Sequence, residues 1–265
     1  MRGQRLISTL FVLVCITTLG FSQRVGGGIR ETVEVSANKR VVPKKSWLNH
    51  PIVKKALKHY VSIRIESKEE GGGDCTGILW QTGLILTNFH AIVMLDKEEE
   101  QAEMVNPQVL IDADEKISVD MQAQKPMLTD LRLSVNGNRA RIVFGDNKKD
   151  LLLLAVWTKA VNNVTTRNTI EVEEPVFSIG DPIDHQRFVS GGGIVAIKNG
   201  LIKTTTCSDF GISGSGVYSA IDGKLIGIQV SGYDKKYRLA VARDINEIKE
   251  FLKEAQKKTK IKILM

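Results

Sequence analysis

Hydrophobic positions along this chain recur mostly with the period of strands. Val61-Ser62-Ile63-Arg64-Ile65 alternates apolar and polar residues, the pattern of a half-buried strand. Residues 76–80 and 84–87 are apolar runs around Gln81-Thr82-Gly83 and read as two strands joined by a turn. Residues 69–74, with three successive glycines, read as a loop, and 109–111 as a further short strand. Residues 96–108 and 112–127 are polar and weakly patterned, so they read as surface excursions. The clearest hairpin joins 131–135 to 140–144 through Asn136-Gly137, since Asn-Gly supplies the positive φ of a tight turn. Residues 151–157 are apolar throughout, which predicts a strand buried on both faces. Runs at 175–179, 193–197, 201–205, 216–219, 225–230 and 238–242 follow at short intervals, each bounded by Gly, Asp or Asn.

Only two stretches carry a helical period. Asn49 is placed to cap a short helix with Pro51 in its first turn, and Ile52, Val53, Ala56 and Leu57 form its apolar face, ending near His59. Asp244 is placed to cap a longer one, with Ile245, Ile248, Phe251, Leu252 and Ala255 on one side. Many short strands with a helix at either end predict an all-β fold, a barrel or sandwich.

The first 22 residues have another character. A basic start, Met1-Arg2-Gly3-Gln4-Arg5, leads into an apolar run at 6–19, shorter than a membrane span, and then Gly20-Phe21-Ser22. That is the pattern of a secretory signal cut before Gln23. Residues 23–46 read as a linker or flexible arm, 47–256 as the folded domain and 257–265 as a basic tail. The chain is expected to be secreted or periplasmic, with no stable membrane span once the signal is removed.

Composition narrows the functional classes. Hydrophobic content of 42% and charged content of 25% are those of a globular protein, and 23 glycines against 6 prolines favour turns over disorder. Net charge is +7, with lysines spread out and concentrated only at the C-terminus. A nucleic-acid-binding β-barrel would want stacking aromatics, but these make up 6% and are scattered. No His/Cys group has metal-ligand spacing, so no metal or other cofactor is expected. Two cysteines, Cys75 and Cys207, remain after signal removal, and sequence leaves open whether they pair.

Candidate chemistry centres on Gly211-Ile212-Ser213-Gly214-Ser215-Gly216. A serine between glycines can be a plain turn. It can also be a nucleophile whose backbone amides face a developing oxyanion, since close approach disfavours Cβ atoms. A serine nucleophile needs a base and an orienting acid. Of four histidines, His50 and His59 fall beside the first helix and His185 in an Asp-rich loop, where solvated roles suffice. His90 alone ends a buried strand, Leu84-Ile85-Leu86-Thr87-Asn88-Phe89, where rigid delivery suits a general base. Among the acids before Ser213, Asp150 opens the apolar run Leu151-Leu152-Leu153-Leu154, where a carboxylate needs a donor. Asp120, Asp130 and Asp146 lie in polar surroundings.

In this order the motifs resemble the chymotrypsin-fold serine peptidases, closest to the HtrA/DegP type. Thr76-Gly77 through Thr87-Asn88-Phe89-His90 resembles that family's T-G to I-L-T-N-x-H segment. Asp150-Leu151 to Val156 is similar to its D-L-A-L-L-K-V strand, and Ser178-Ile179-Gly180-Asp181-Pro182 to its A-I-G-N-P turn. Gly211-Ile212-Ser213-Gly214 is similar to G-N-S-G, and Gly223 through Ile228 to the G-x-V-I-G-I strand. The resemblance spans roughly residues 61–252. It implies two six-stranded antiparallel β-barrels, at about 60–160 and 161–243, and a serine endopeptidase acting on polypeptides. It further implies a triad of Ser213, His90 and Asp150, an oxyanion hole from the amides of Gly211 and Ser213, and substrate contacts at Cys207, Gln229, Val230 and Ser231.

Departures accompany the match. Ser215-Gly216 stands where Gly-Pro is usual. Ile212 replaces the aspartate that pairs with a freshly cut N-terminus in the digestive members, which argues against Arg24-Val25-Gly26-Gly27 as a zymogen switch. No PDZ module is expected. The rival reading is a protease-fold binding protein without turnover.

Overall fold

A computed structural model describes residues 47–68, 71–93, 109–111, 117–119, 131–182, 187–208, 211–234 and 239–265. The signal, the arm, His185, Asp120 and Asp130 lie outside the described residues. Among the described residues a short helix, α1 (Pro51–Leu57), precedes the strands. β1 (Tyr60–Ser67), β2 (Gly71–Gln81) and β3 (Leu84–Thr87) come first. β4 (Val109–Ile111) and β5 (Ile117–Val119) form a separate two-stranded sheet. β6 (Arg132–Val135), β7 (Asn138–Asp146) and β8 (Leu151–Val156) complete the first half. These close a six-stranded barrel in the order β1-β2-β3-β8-β7-β6.

The second half holds β9 (Pro175–Gly180), β10 (Phe188–Lys198), β11 (Leu201–Thr204), β12 (Gly216–Ser219), β13 (Leu225–Asp234) and β14 (Leu239–Asp244). They close a second barrel, β10-β11-β14-β13-β12-β9, and α2 (Ile245–Thr259) follows. All pairings within both barrels are antiparallel. The expected fold of two six-stranded antiparallel barrels with a helix near either end is the fold found.

Three cores explain the apolar runs. Ile63, Leu79, Ile85, Leu152 and Leu154 fill the first barrel. Val176, Ile202, Val217 and Ile226 fill the second. A larger core between the barrels takes the opposite faces of the same strands: Leu84, Leu86, Leu151 and Leu153 meet Phe177, Tyr218 and the apolar stripe of α2. β3 and β8 are therefore apolar at nearly every position because both faces are buried. Each such side chain contributes roughly 1.5–3 kcal/mol by leaving water.

Local expectations hold where turn and cap chemistry is strong. Asn136 and Gly137 take φ values of 47° and 79°, the left-handed pair a tight hairpin requires. The Asp244 carboxylate caps α2, accepting from the amides of Asn246 and Glu247 at 3.0 and 2.9 Å. Four expectations are corrected. The cap of α1 is His50, whose Nδ1 accepts from Ile52 N at 3.3 Å, because Asn49 is taken into a 3₁₀ turn, Trp47–Asn49. Gly71, Gly72 and Gly73 are strand, paired with Ser67, Glu66 and Ile65, and a Cβ on Gly72 would come 2.4 Å from the Ile65 carbonyl. β8 stops at Val156, leaving Trp157 74% exposed. His59 is buried rather than solvated: its Nδ1 meets the Leu79 carbonyl at 3.1 Å, and burial holds its pKa below the ordinary value.

Neither Cys75 nor Cys207 is in a disulfide among the described residues. Cys75 lies in the first barrel's core, where burial pushes its thiol up to about 12, so it is a packing group rather than a nucleophile. Among the described residues no helix is long and apolar enough to cross a membrane.

The segment after α2 straps the barrels together. Trp80 Nε1 donates to the Leu264 carbonyl at 2.7 Å. Gln81 donates to the Lys262 carbonyl and accepts from Leu264 N, at 3.1 and 2.7 Å. Ile263 is buried in the shared core. Deleting residues 261–265 removes one buried isoleucine and orphans the Trp80 N–H, a loss of about 2–4 kcal/mol. Thermal unfolding of the truncated chain should show Tm lower by roughly 5–15 °C. An unchanged Tm would mean that the strap carries no stability.

Candidate active site

The geometry starts from the pairing of β3 with β8. Leu84 stands opposite Ala155 and Thr87 opposite Leu152. Continued one step past the strand ends, this register brings the Asp150 turn beside the segment that leads into His90. His90 opens a 3₁₀ turn, His90–Ile92, directly after the β3 exit. Asp150 then engages it twice. Oδ1 accepts from the His90 backbone N–H at 2.8 Å, and Oδ2 lies 2.8 Å from His90 Nδ1. The two bonds fix both the ring's position and the tautomer, since Nδ1–H must face the carboxylate.

Asp150 is held with care. It is buried and takes a left-handed φ of 54°, a conformation aspartate tolerates better than most residues, at about 1–2 kcal/mol. Asn88 Nδ2 donates to its carbonyl at 3.1 Å. Arg243 Nε, from β14 of the other barrel, donates to the preceding carbonyl, Lys149, at 3.1 Å. Lys149 in turn bridges Glu247 and Glu250 of α2, at 2.8 and 3.1 Å. Asp146 takes no part in the pair, since its Oδ1 accepts from Lys149 N within the turn at 3.1 Å.

Electrostatics follow from these contacts. Burial opposes a charged imidazole at His90, but the Asp150 charge and hydrogen bond outweigh it, and the pKa stands above the ordinary 6.5. A raised histidine pKa stabilises the native state fully below the unfolded value, and that contribution is lost as pH climbs through the native one.

Ser213 lies in the turn before β12 and packs against the same corner of the first barrel. A Cβ on Gly214 would come 2.0 Å from the Thr76 carbonyl and 2.5 Å from Thr87 Oγ1, so the turn sits on β2 and on the strand that delivers His90. Gly211 has a φ of 81°, and a Cβ there would come 1.9 Å from the Asp181 carbonyl. Both positions exclude a side chain. The Ile212 carbonyl accepts from Ser215 N at 2.8 Å. In a trans peptide the N–H opposes the C=O, so the Ser213 amide points away from that bond. Among the described residues neither the Gly211 nor the Ser213 amide meets an acceptor, and no hydrogen bond joins Ser213 to His90.

The remaining positions differ in what they present. Gln229 is buried and donates from Nε2 to the Cys207 carbonyl at 2.8 Å, while its backbone carbonyl accepts from Gly214 N at 2.9 Å. Val230 turns its side chain inward with Leu201 and Val241 and stands opposite Val241 in the β13–β14 ladder. Cys207 is half-buried, with its amide on Ser190 Oγ at 2.7 Å. Ser231 belongs to β13, and its side chain is outside the described residues. Sequence reasoning passed over Thr76, Asn88 and Arg243. The first two sit within the quoted motif strings, but Arg243 carries no local signal at all.

Residues 75–228, more than half of the chain, match the family model for the trypsin-like peptidase domain. No curated protein sequence matches it. Among solved structures, the serine endoprotease from Yersinia pestis is 16% identical, with a TM-score of 0.59 over 82% of this chain and 68% of that one. The HtrA-type protease AlgW with a tripeptide is 18% identical, with a TM-score of 0.57 over 77% of this chain and 62% of that one. At these identities the likeness is one of fold.

The His90–Asp150 pair gives a test that needs no substrate. Imidazole proton shifts should titrate above 6.5 for His90 in the native protein and below 6.5 in Asp150→Asn, where only the effect of burial is left. An unmoved midpoint would show that the carboxylate does not control the ring.

Proposed function

The chain belongs to the trypsin-like peptidase family, and from that premise we propose that it is an exported serine endopeptidase acting through Ser213, His90 and Asp150. The observation that carries the reading is the doubly bonded His90–Asp150 pair at the corner where the Ser213 turn packs.

His90 Nε2 takes the Ser213 proton as Oγ attacks a peptide carbonyl carbon. The carbonyl π pair moves onto oxygen, which the free amides of Gly211 and Ser213 receive. Collapse breaks the C–N bond, and the imidazolium returns its proton to the leaving amine. A water, deprotonated by the same ring, then attacks the acyl carbon, the bond from that carbon to Oγ breaks, and the imidazolium returns its proton to Ser213 Oγ. Asp150 stays ionised throughout and stabilises the imidazolium. Losing one oxyanion donor typically costs about 10²–10³ in rate. Backbone groups of β13 beyond Gln229, whose own amide and carbonyl are taken by Ser215 and Gly214, would receive the substrate as an added strand, and Cys207 would border the side-chain pocket.

The second reading, a protease-fold protein that binds peptides without cutting them, draws on the unmade bond between Ser213 and His90. Catalytic hydrogen bonds are often long before substrate arrives, so the chemistry decides. Residues 23–265 should react with a fluorophosphonate probe and cleave members of a peptide library. Ser213→Ala should abolish labelling and lower kcat/KM by roughly 10⁴-fold or more. The rate should rise with pH through the raised His90 pKa, because the base must be neutral. A well-folded chain that neither labels nor cleaves would favour the binding protein.

A further inference from the structure

Thr76 is the residue through which the first barrel grips the turn that carries Ser213. Its side chain is fully buried on β2. Its amide donates to the Ser213 carbonyl at 3.0 Å, and its hydroxyl donates to the Gly211 carbonyl at 2.8 Å. The same hydroxyl accepts from Asp181 N at 2.9 Å, which fixes the direction of its single proton. Its carbonyl accepts from Thr87 Oγ1, three residues before His90, at 2.7 Å. One residue thus bonds to the turn of the nucleophile and to the strand of the base.

The consequence lies in the peptide planes. Gly211, Ile212 and Ser213 present three successive carbonyls, and each has a fixed partner. Ile212 finds its partner locally in Ser215, while the other two are both held by Thr76. Carbonyl and amide of one trans peptide point in opposite directions, so the Ile212 carbonyl on Ser215 fixes the Ser213 amide, while Thr76 fixes the planes on either side of it, those of the Ile212 and Gly214 amides. Gly211 most needs such a restraint, because a glycine at φ 81° has many other conformations open to it.

We propose that Thr76 is a positioning residue for catalysis: its hydroxyl holds the Gly211 carbonyl and so restrains the torsions of Gly211 and Ile212, on which the directions of the Gly211 and Ser213 amides toward the developing oxyanion depend. The proposal rests on the peptidase reading of Ser213. Thr76→Val keeps the backbone N–H and the shape but removes the hydroxyl, and Thr76→Ser restores it. Thr76→Val should lower kcat about 10²-fold with KM within about twofold. Its pH profile should stay as in the parent protein, because the His90–Asp150 pair is untouched. Thr76→Ser should recover kcat to within about threefold.

A folded Thr76→Val with kcat within twofold of the parent, a loss confined to KM, or a Thr76→Ser as slow as the valine variant would each overturn the proposal. The serine variant keeps the question open to decision even where the valine variant does not fold. A crystal structure of Thr76→Val separates the clamp from the activity. A Gly211 carbonyl turned away from residue 76 upholds the clamp even if the parent chain cleaves nothing, a result that would end only the peptidase reading. An unmoved carbonyl overturns the clamp.

Discussion

The register between β3 and β8 is the constraint on which the candidate site depends. With Thr87 opposite Leu152, the residues just beyond the strand ends, His90 and Asp150, arrive together. A slip of two residues along the ladder would part them by about 7 Å, beyond the reach of either hydrogen bond. A slip of one would turn every leucine of β8 to its opposite face. Both strands are buried on both faces, so neither slip has a compensating solvent side, and packing of the leucines fixes the positions of Asp150 and His90.

The same two-sided burial explains why the polar groups lie where they do. A strand between two cores has no position for an unpaired charge along its length. The first place it can carry one is its end, at the rim of the barrel. Asp150 sits at that point, and the cost of burying its carboxylate is offset by the two His90 donors, with Asn88 and Arg243 fixing its backbone. The buried Glu174 is likewise engaged, paired with Arg167.

Much of this was legible in the sequence because it is written in short-range patterns. The apolar run of β8 and the aspartate before it, the strand that ends at His90, Asn136-Gly137 and the Asp244 cap each declare themselves within a few residues. What was not legible depends on partners far away in sequence. Three glycines read as a loop until β1 supplies their ladder. Asn49 yields its cap to His50 through a preceding turn that has no strong signature. His59 looks like a surface residue until Leu79 covers it. The residues after α2 read as a basic tail, although Ile263 and the Lys262 and Leu264 backbone groups dock on β2. Arg243 steadies the Asp150 turn through the Lys149 carbonyl, ninety-four positions away.

The division of labour between the barrels makes their seam the sensitive part of the molecule. His90 and Asp150 come from one barrel and the Ser213 turn from the other, so each barrel can fold well while the candidate site stays unassembled. Apolar packing in the shared core supplies adhesion, but leucine against phenylalanine fixes orientation only loosely. Direction has to come from polar links that tolerate little displacement. Thr76 to Gly211 and Ser213, Arg243 to Lys149 and Tyr60 to Asp181 all cross the seam, and each joins a strand of one barrel to a turn belonging to the other. Because a hydrogen bond weakens steeply once its angle is lost, these few bonds hold the orientation that the large apolar core leaves free.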